Sequence, residues 1–126
     1  MPHVTLVCGG VLAIVMTLLG MNVTRVRTQF KQFVDPAAPP RKLYVAIRAH
    51  GNFVEWVPLL VVMLLVVELA GASKTPLWVA GIGLLVGRVL HALGLLTKLR
   101  VAPVGSAFTW GIALWLGVWA VWLGLS

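Results

Sequence analysis

Four polar side chains between positions 44 and 55 follow one another at spacings of 4, 4 and 3: Tyr44, Arg48, Asn52 and Glu55. At 3.6 residues per turn they form one stripe on one face of a helix. A guanidinium, a carboxamide and a carboxylate in a row either bind a ligand or clasp a neighbouring helix. They stand at the mouth of an apolar run, WVPLLVVMLLVVELA from Trp56 to Ala70, in which Glu68 is the only charge. Ionisable groups are costly there, about 2.5 to 3.5 kcal/mol for an Arg or Asp at the centre of a spanning helix on insertion scales. Each therefore needs a partner, from the protein or from a ligand. A second polar cluster lies within GIGLLVGRVLHALGLL, where Arg88, His91 and Leu95 share a face at spacings of 3 and 4. Glu55 is the expected partner of Arg88, matched in depth and in sign, in an ion pair that would lock the two helices together.

The elements that position these residues are membrane spans. Hydrophobic residues make up 60% of the chain and charged residues 10%, with a mean hydropathy of +1.01, whereas about a quarter of the residues in soluble domains are charged. The fold class is an all-α integral membrane protein. Its 126 residues hold four spans of about 20 residues each and no soluble domain besides. The expected architecture is a four-helix bundle forming a single domain over 1–126, with spans at about 4–23, 43–69, 77–97 and 104–125. The first span is expected to continue as an amphipathic extension through Arg25, Arg27 and Lys31, and is too long and too poor in preceding basic residues for a cleaved signal peptide. FVDPAAPPRK, Phe33 to Lys42, is a loop because Pro36, Pro39 and Pro40 cannot continue a helix. Pro58 predicts a kink in the second helix, and Pro103 opens the fourth. Gly83 and Gly87 make a small-xxx-small pair through which the third helix can approach a neighbour closely. One cysteine, Cys8, excludes an internal disulfide and a cysteine metal cluster.

Of the ten basic residues, Arg25, Arg27, Lys31, Arg41, Lys42, Arg48, Lys98 and Arg100 fall on the side of the first and third loops, Lys74 alone on the other, and Arg88 within a span. This imbalance predicts cytoplasmic first and third loops and external termini. The net charge of +7 thus needs no nucleic acid to explain it. It gives an electropositive rim attractive to anionic headgroups or to an anionic soluble substrate. No metal site is expected, since His50 lies off the stripe that carries Asn52 and Glu55.

The segment Arg48-Ala-His-Gly-Asn52-Phe-Val-Glu55-Trp-Val-Pro58 resembles the signature of the MAPEG family, membrane-associated proteins in eicosanoid and glutathione metabolism. Leu99-Arg100-Val-Ala-Pro103 resembles the family's motif before the fourth helix. The Ile-Arg-x-His-Gly-Asn-x-Val-Glu form, with Gly-Arg-x2-His after it, is most similar to the bacterial inner-membrane subgroup. The resemblance implies a homotrimer with glutathione as co-substrate at subunit interfaces near the cytoplasmic side. It implies Arg48, Asn52 and Glu55 as glutathione ligands, Arg27 and His50 as groups reaching glutathione from the neighbouring subunit, Trp56 beside the ligand, and Arg100 as the residue that activates the thiol. His91 and Leu95 stand where the eicosanoid enzymes carry tyrosines; His91 is either a substitute donor to glutathione or half of an interhelical hydrogen bond.

Physical chemistry accords with those roles. Glutathione carries two carboxylates, one ammonium and one thiol. Arg48 and Arg27 suit the carboxylates, Glu55 the ammonium and Asn52 the peptide groups. Arg100 near the sulfur would favour the thiolate, each pKa unit of lowering corresponding to about 1.36 kcal/mol. Two functions follow as expectations: a glutathione-dependent transferase or peroxidase acting on lipophilic electrophiles or peroxides, or a non-catalytic protein on the same fold that binds lipid or glutathione.

Overall fold

The structure, a computed structural model, describes residues 1–30, 34–97 and 99–126. Four helices follow one another: α1 His3–Arg27, α2 Arg41–Leu69, α3 Lys74–Leu96 and α4 Ala102–Leu125. Each is long and apolar enough to cross a membrane. Even α3, with 23 residues, is ~35 Å long at 1.5 Å per residue, against a hydrocarbon core of ~30 Å.

Small departures from the sequence-read spans have local causes. α2 begins at Arg41, directly after Pro40 as its N-cap. α3 begins at Lys74 rather than Leu77, because Pro76 lies in the first turn, where a missing N–H forfeits no intrahelical bond. α1 ends at Arg27, so its extension takes in Arg25 and Arg27, while Lys31, like Lys98, lies outside the described residues. α2 runs helical through Pro58. It closes on Gly71, whose φ of +84° is the left-handed conformation that favours glycine. There the Gly71 N–H donates to the Glu68 carbonyl at 3.1 Å and the Ala72 N–H to the Val67 carbonyl at 3.3 Å, the paired bonds of a Schellman motif.

The helices run up, down, up, down. α2 and α3 are central: α1 packs on both from one side and α4 on both from the other, and among the described residues α1 and α4 do not meet. The buried stripe of α2, Leu43, Ala46, Ala49, Phe53, Val57, Leu60, Leu64 and Val67, advances by three or four residues per step, as a core-facing helix must. Lipid is as apolar as leucine, so burial alone does little to hold spans together in a bilayer; close packing and polar links do that.

Glycines supply the close packing. A Cβ at Gly81 would meet the Cys8 Sγ of α1 at 2.6 Å, and one at Gly83 would meet Ile112 Cδ1 of α4 at 2.8 Å. Gly87 faces the Phe108 Cβ and the Gly105 carbonyl of α4, and Gly94 faces Ala102. The Gly83 and Gly87 pair therefore serves the α3–α4 seam of a single chain and carries no argument for association between chains.

A polar link closes the end where α1 begins. α1 has no side-chain cap of its own and no acidic residue in its first turn. Glu68, near the end of α2, accepts hydrogen bonds from the Val4 N–H at 2.9 Å, the Thr5 N–H at 2.8 Å and the Thr5 hydroxyl at 2.7 Å. A carboxylate at the positive end of a helix dipole meets two orphan donors. The lone charge in the apolar run of α2 is thus the N-terminal cap of the neighbouring helix.

Candidate functional site

The stripe on α2 lies beside the buried stripe. In the isolated chain Tyr44 is exposed, Asn52 is half-buried, and the side chains of Arg48 and Glu55 are 47% and 55% exposed. Arg48 Nη1 stands 3.8 Å from Glu55 Oε1, two turns away, so the pair bridges across Asn52. Glu55 is the fifteenth of the 29 residues of α2, which puts an exposed carboxylate at the middle of an apolar helix. Such a group requires a covering protein or ligand.

Arg88 reaches Asn52 from α3. It is 1% exposed, and its Nη2 donates to Asn52 Oδ1 at 2.8 Å. Nη1 makes a long contact of 3.5 Å with Thr109 Oγ1 of α4, the guanidinium carbon lies 5.4 Å from the Phe53 ring centroid, and Nε has no hydrogen-bond partner. The Arg88–Glu55 ion pair expected from the sequence is replaced by two contacts: Glu55 bridges to Arg48, and Arg88 turns to the amide between them. The reason is angular. Asn52 borders the core-facing stripe of α2, with Phe53 beside it, while the Glu55 side chain is 55% exposed.

This contact decides the orientation of the Asn52 amide. A guanidinium only donates, so the atom facing it is Oδ1 and the Nδ2 hydrogens are left as donors. From Arg48 through Asn52 to Glu55 the stripe offers a cation, a neutral donor and an anion.

His91 is tied to α4. Its Nδ1 lies 3.1 Å from the Ala102 carbonyl oxygen and 3.0 Å from Ser106 Oγ. A carbonyl only accepts, so Nδ1 carries the proton in that bond, and in the neutral ring Nε2 is an acceptor. His91 is therefore part of an interhelical hydrogen bond, and the nitrogen left over accepts rather than donates. Leu95 lines a cavity at the basic end, among α1, α2 and α3.

The remaining residues are dispersed within one chain. Trp56 is half-buried against the main apolar core. His50 sits on the α1 side of α2, its ring 3.3 Å from where a Gly20 Cβ would stand and its Nδ1 buried without a partner. Arg27, exposed at the end of α1, lines a cavity of about 390 Å³ with Phe30, Leu43 and Ile47. Arg100 is exposed in the turn before α4. One chain thus joins Arg48, Asn52, Glu55 and Arg88, and does not bring Arg27, His50 or Arg100 to them by hydrogen bond or ion pair. His50, His91 and Glu55 form no metal-binding group; among the described residues there is no cluster of three or more such ligands.

Sequence reasoning passed over Thr109, Ser106 and Phe53. The available signal was the repeat Gly105, Thr109, Ile112, Leu116 on α4, the buried residues of that helix, with a single hydroxyl in an apolar stripe.

The sequence profile of the MAPEG family matches residues 5–122. The chain is similar to the Inner membrane protein YecN of Escherichia coli K12, with 32% identity over 111 residues, covering 87% of this chain and 84% of that protein. The protein of the same name in Escherichia coli O6:H1 matches with the same identity and coverage.

Proposed function

This chain belongs to the MAPEG family, and from that premise we propose that it is an inner-membrane protein that binds glutathione on the Arg48, Asn52 and Glu55 stripe and activates its thiol toward lipophilic electrophiles or peroxides. The observation that carries this reading is the half-exposed Arg48 and Glu55 pair within an apolar span. Two opposite charges with a donor amide between them match a zwitterionic peptide. On binding, the 3.8 Å contact opens: Arg48 takes a carboxylate, Glu55 the ammonium, and the Asn52 Nδ2 hydrogens a peptide carbonyl.

Three copies assemble so that Arg27 and His50 of one subunit approach the stripe of the next, which covers the mid-span carboxylate. A trimeric mass in mild detergent is the expected state. Arg100 holds the sulfur as thiolate, its proton passing to water at the basic end. The thiolate displaces a leaving group from the electrophile, or attacks the outer oxygen of a hydroperoxide, so that the O–O bond breaks, the sulfur is oxidised to the sulfenic acid and the alkoxide leaves as the alcohol after taking a proton. The basic end faces the cytoplasm, where glutathione is supplied. Reporter fusions after Lys42 are expected to read cytoplasmic and fusions at Ser73 external; the reverse would put the stripe on the wrong side.

A non-catalytic binder is the second reading, favoured by the commitment of His91 Nδ1 to α4 and by Leu95 at a tyrosine position. Ultraviolet thiolate absorbance at neutral pH separates the two. Glutathione added to the purified protein is expected to raise it, and Arg100→Ala to abolish the rise while binding persists. Arg48→Ala weakens binding by about 2 to 5 kcal/mol. Calorimetric binding without thiolate supports the binder, and no binding at millimolar glutathione overturns both readings.

A further inference from the structure

At the basic end, the last turns of α1 and α3 and the first turns of α2 enclose a cavity of about 700 Å³, within the range of small-molecule sites, ~300 to 1,000 Å³. Arg25, Arg41 and Lys42 stand on its rim with Asn22 and Thr97, and its inner wall is apolar, including Val26 and Leu95. It shares no residue with the Arg48, Asn52 and Glu55 stripe.

The three cations have no carboxylate to meet. The chain has three acidic residues, each committed elsewhere: Glu68 to the start of α1, Glu55 to Arg48, and Asp35 to the Ala37 N–H in the first loop. Two of the cations donate to neutral amides. Arg25 Nη2 donates to Asn22 Oδ1 at 2.9 Å, and Lys42 Nζ donates to Gln29 Oε1 at 2.7 Å. α2 adds its uncapped N-terminus, with no acidic residue in the first turn, so the free N–H groups of that turn also favour an anion.

We propose that this cavity binds a phosphate ester, the headgroup of an anionic membrane phospholipid such as phosphatidylglycerol. Arg25, Arg41 and Lys42 hold the phosphate, Asn22 and Thr97 meet the glycerol oxygens, and the apolar wall takes the first acyl carbons. Two features favour lipid over a soluble phosphate. Half of the lining residues are apolar, a wall that a fully hydrated anion would not use. The cavity also lies at the ends of three spans, the depth at which headgroups sit. This inference does not rest on the proposed glutathione site.

The test is native mass spectrometry of the delipidated full-length protein in neutral detergent, titrated with phosphatidylglycerol or phosphatidylcholine of the same acyl chains. Phosphatidylglycerol is expected to bind at least tenfold more tightly. The combined variant R25Q/R41Q/K42Q is expected to lose that preference, and Lys74→Gln, at the other end of the bundle, to keep it. Should the triple variant not fold, each single change is expected to weaken binding by about fivefold. Equal binding of both lipids, or equal loss on Lys74→Gln, overturns the site. Displacement by millimolar inorganic phosphate overturns the lipid assignment, and displacement by glutathione would assign the cavity to the thiol chemistry instead.

Discussion

Asn52→Leu is expected to lose about 3 kcal/mol of stability, because it strips a buried guanidinium of its one short hydrogen bond. Arg88 is 1% exposed. Its other contacts are the 3.5 Å approach to Thr109 and the face of Phe53, and neither replaces a 2.8 Å bond to a carbonyl oxygen. Arg88→Met costs less, since the group it orphans is a neutral amide at the edge of the bundle. The double variant, Asn52→Leu with Arg88→Met, is expected to be more stable than Asn52→Leu alone, since the charge that needed the amide is gone. Reversible unfolding in mixed detergent micelles, followed by circular dichroism, measures all three. A loss below about 0.5 kcal/mol for Asn52→Leu, the range of inert surface changes, would show that Arg88 finds its partner elsewhere. Asn52→Asp separates folding from binding: its oxygen still accepts from Arg88, so the fold holds, but the outward donors are lost, and with them the peptide contact proposed for glutathione.

Gly105→Ala is the second large effect, again about 3 kcal/mol, at the upper end of ordinary overpacking costs. The added Cβ would meet the Gly87 carbonyl oxygen, the His91 backbone nitrogen at 2.5 Å and the His91 Cβ at 2.8 Å. Backbone cannot rotate aside as a side chain can, so α3 and α4 must separate. That separation stretches the His91 bonds to Ala102 and Ser106 and the Arg88 contact with Thr109. Gly117→Ala on the same helix is the control. Nothing lies within 4 Å of its added Cβ, so the substitution is expected to stabilise by about 0.5 to 1 kcal/mol through helix propensity. Opposite signs for two identical substitutions on α4 are the signature to look for; matching signs would mean that the α3–α4 seam is looser than described.

Much was legible in the sequence because the bilayer leaves few choices. Backbone polar groups must be satisfied within each span, so an apolar run of sufficient length is a helix, and prolines and glycines mark where it stops. Each of the four spans is thus evident from length and hydropathy, and the mismatches, Pro76 inside the first turn of α3 and Arg41 at the start of α2, concern ends that are permissive by nature. The stripe of Arg48, Asn52 and Glu55 is equally a property of the sequence, since helical spacing alone puts them on one face.

Partnership was not legible, because depth and sign say how far along a helix a group sits and not which way the helix is turned. Glu55 and Asn52 were both within reach of Arg88 in depth; the rotation of α2 against α3 gave the contact to Asn52 and left Glu55 outside with Arg48. Gly83 and Gly87 announced a close approach without naming the neighbour, which proved to be α4 of the same chain. Glu68 read only as a charge in need of a partner until the antiparallel pairing of α1 and α2 brought it to the open N-terminus of α1. Periodicity along one chain determined the elements and the faces of this protein. The mutual rotation of the helices, set by backbone contact at glycines and by the need to satisfy each buried polar group, decided which faces meet.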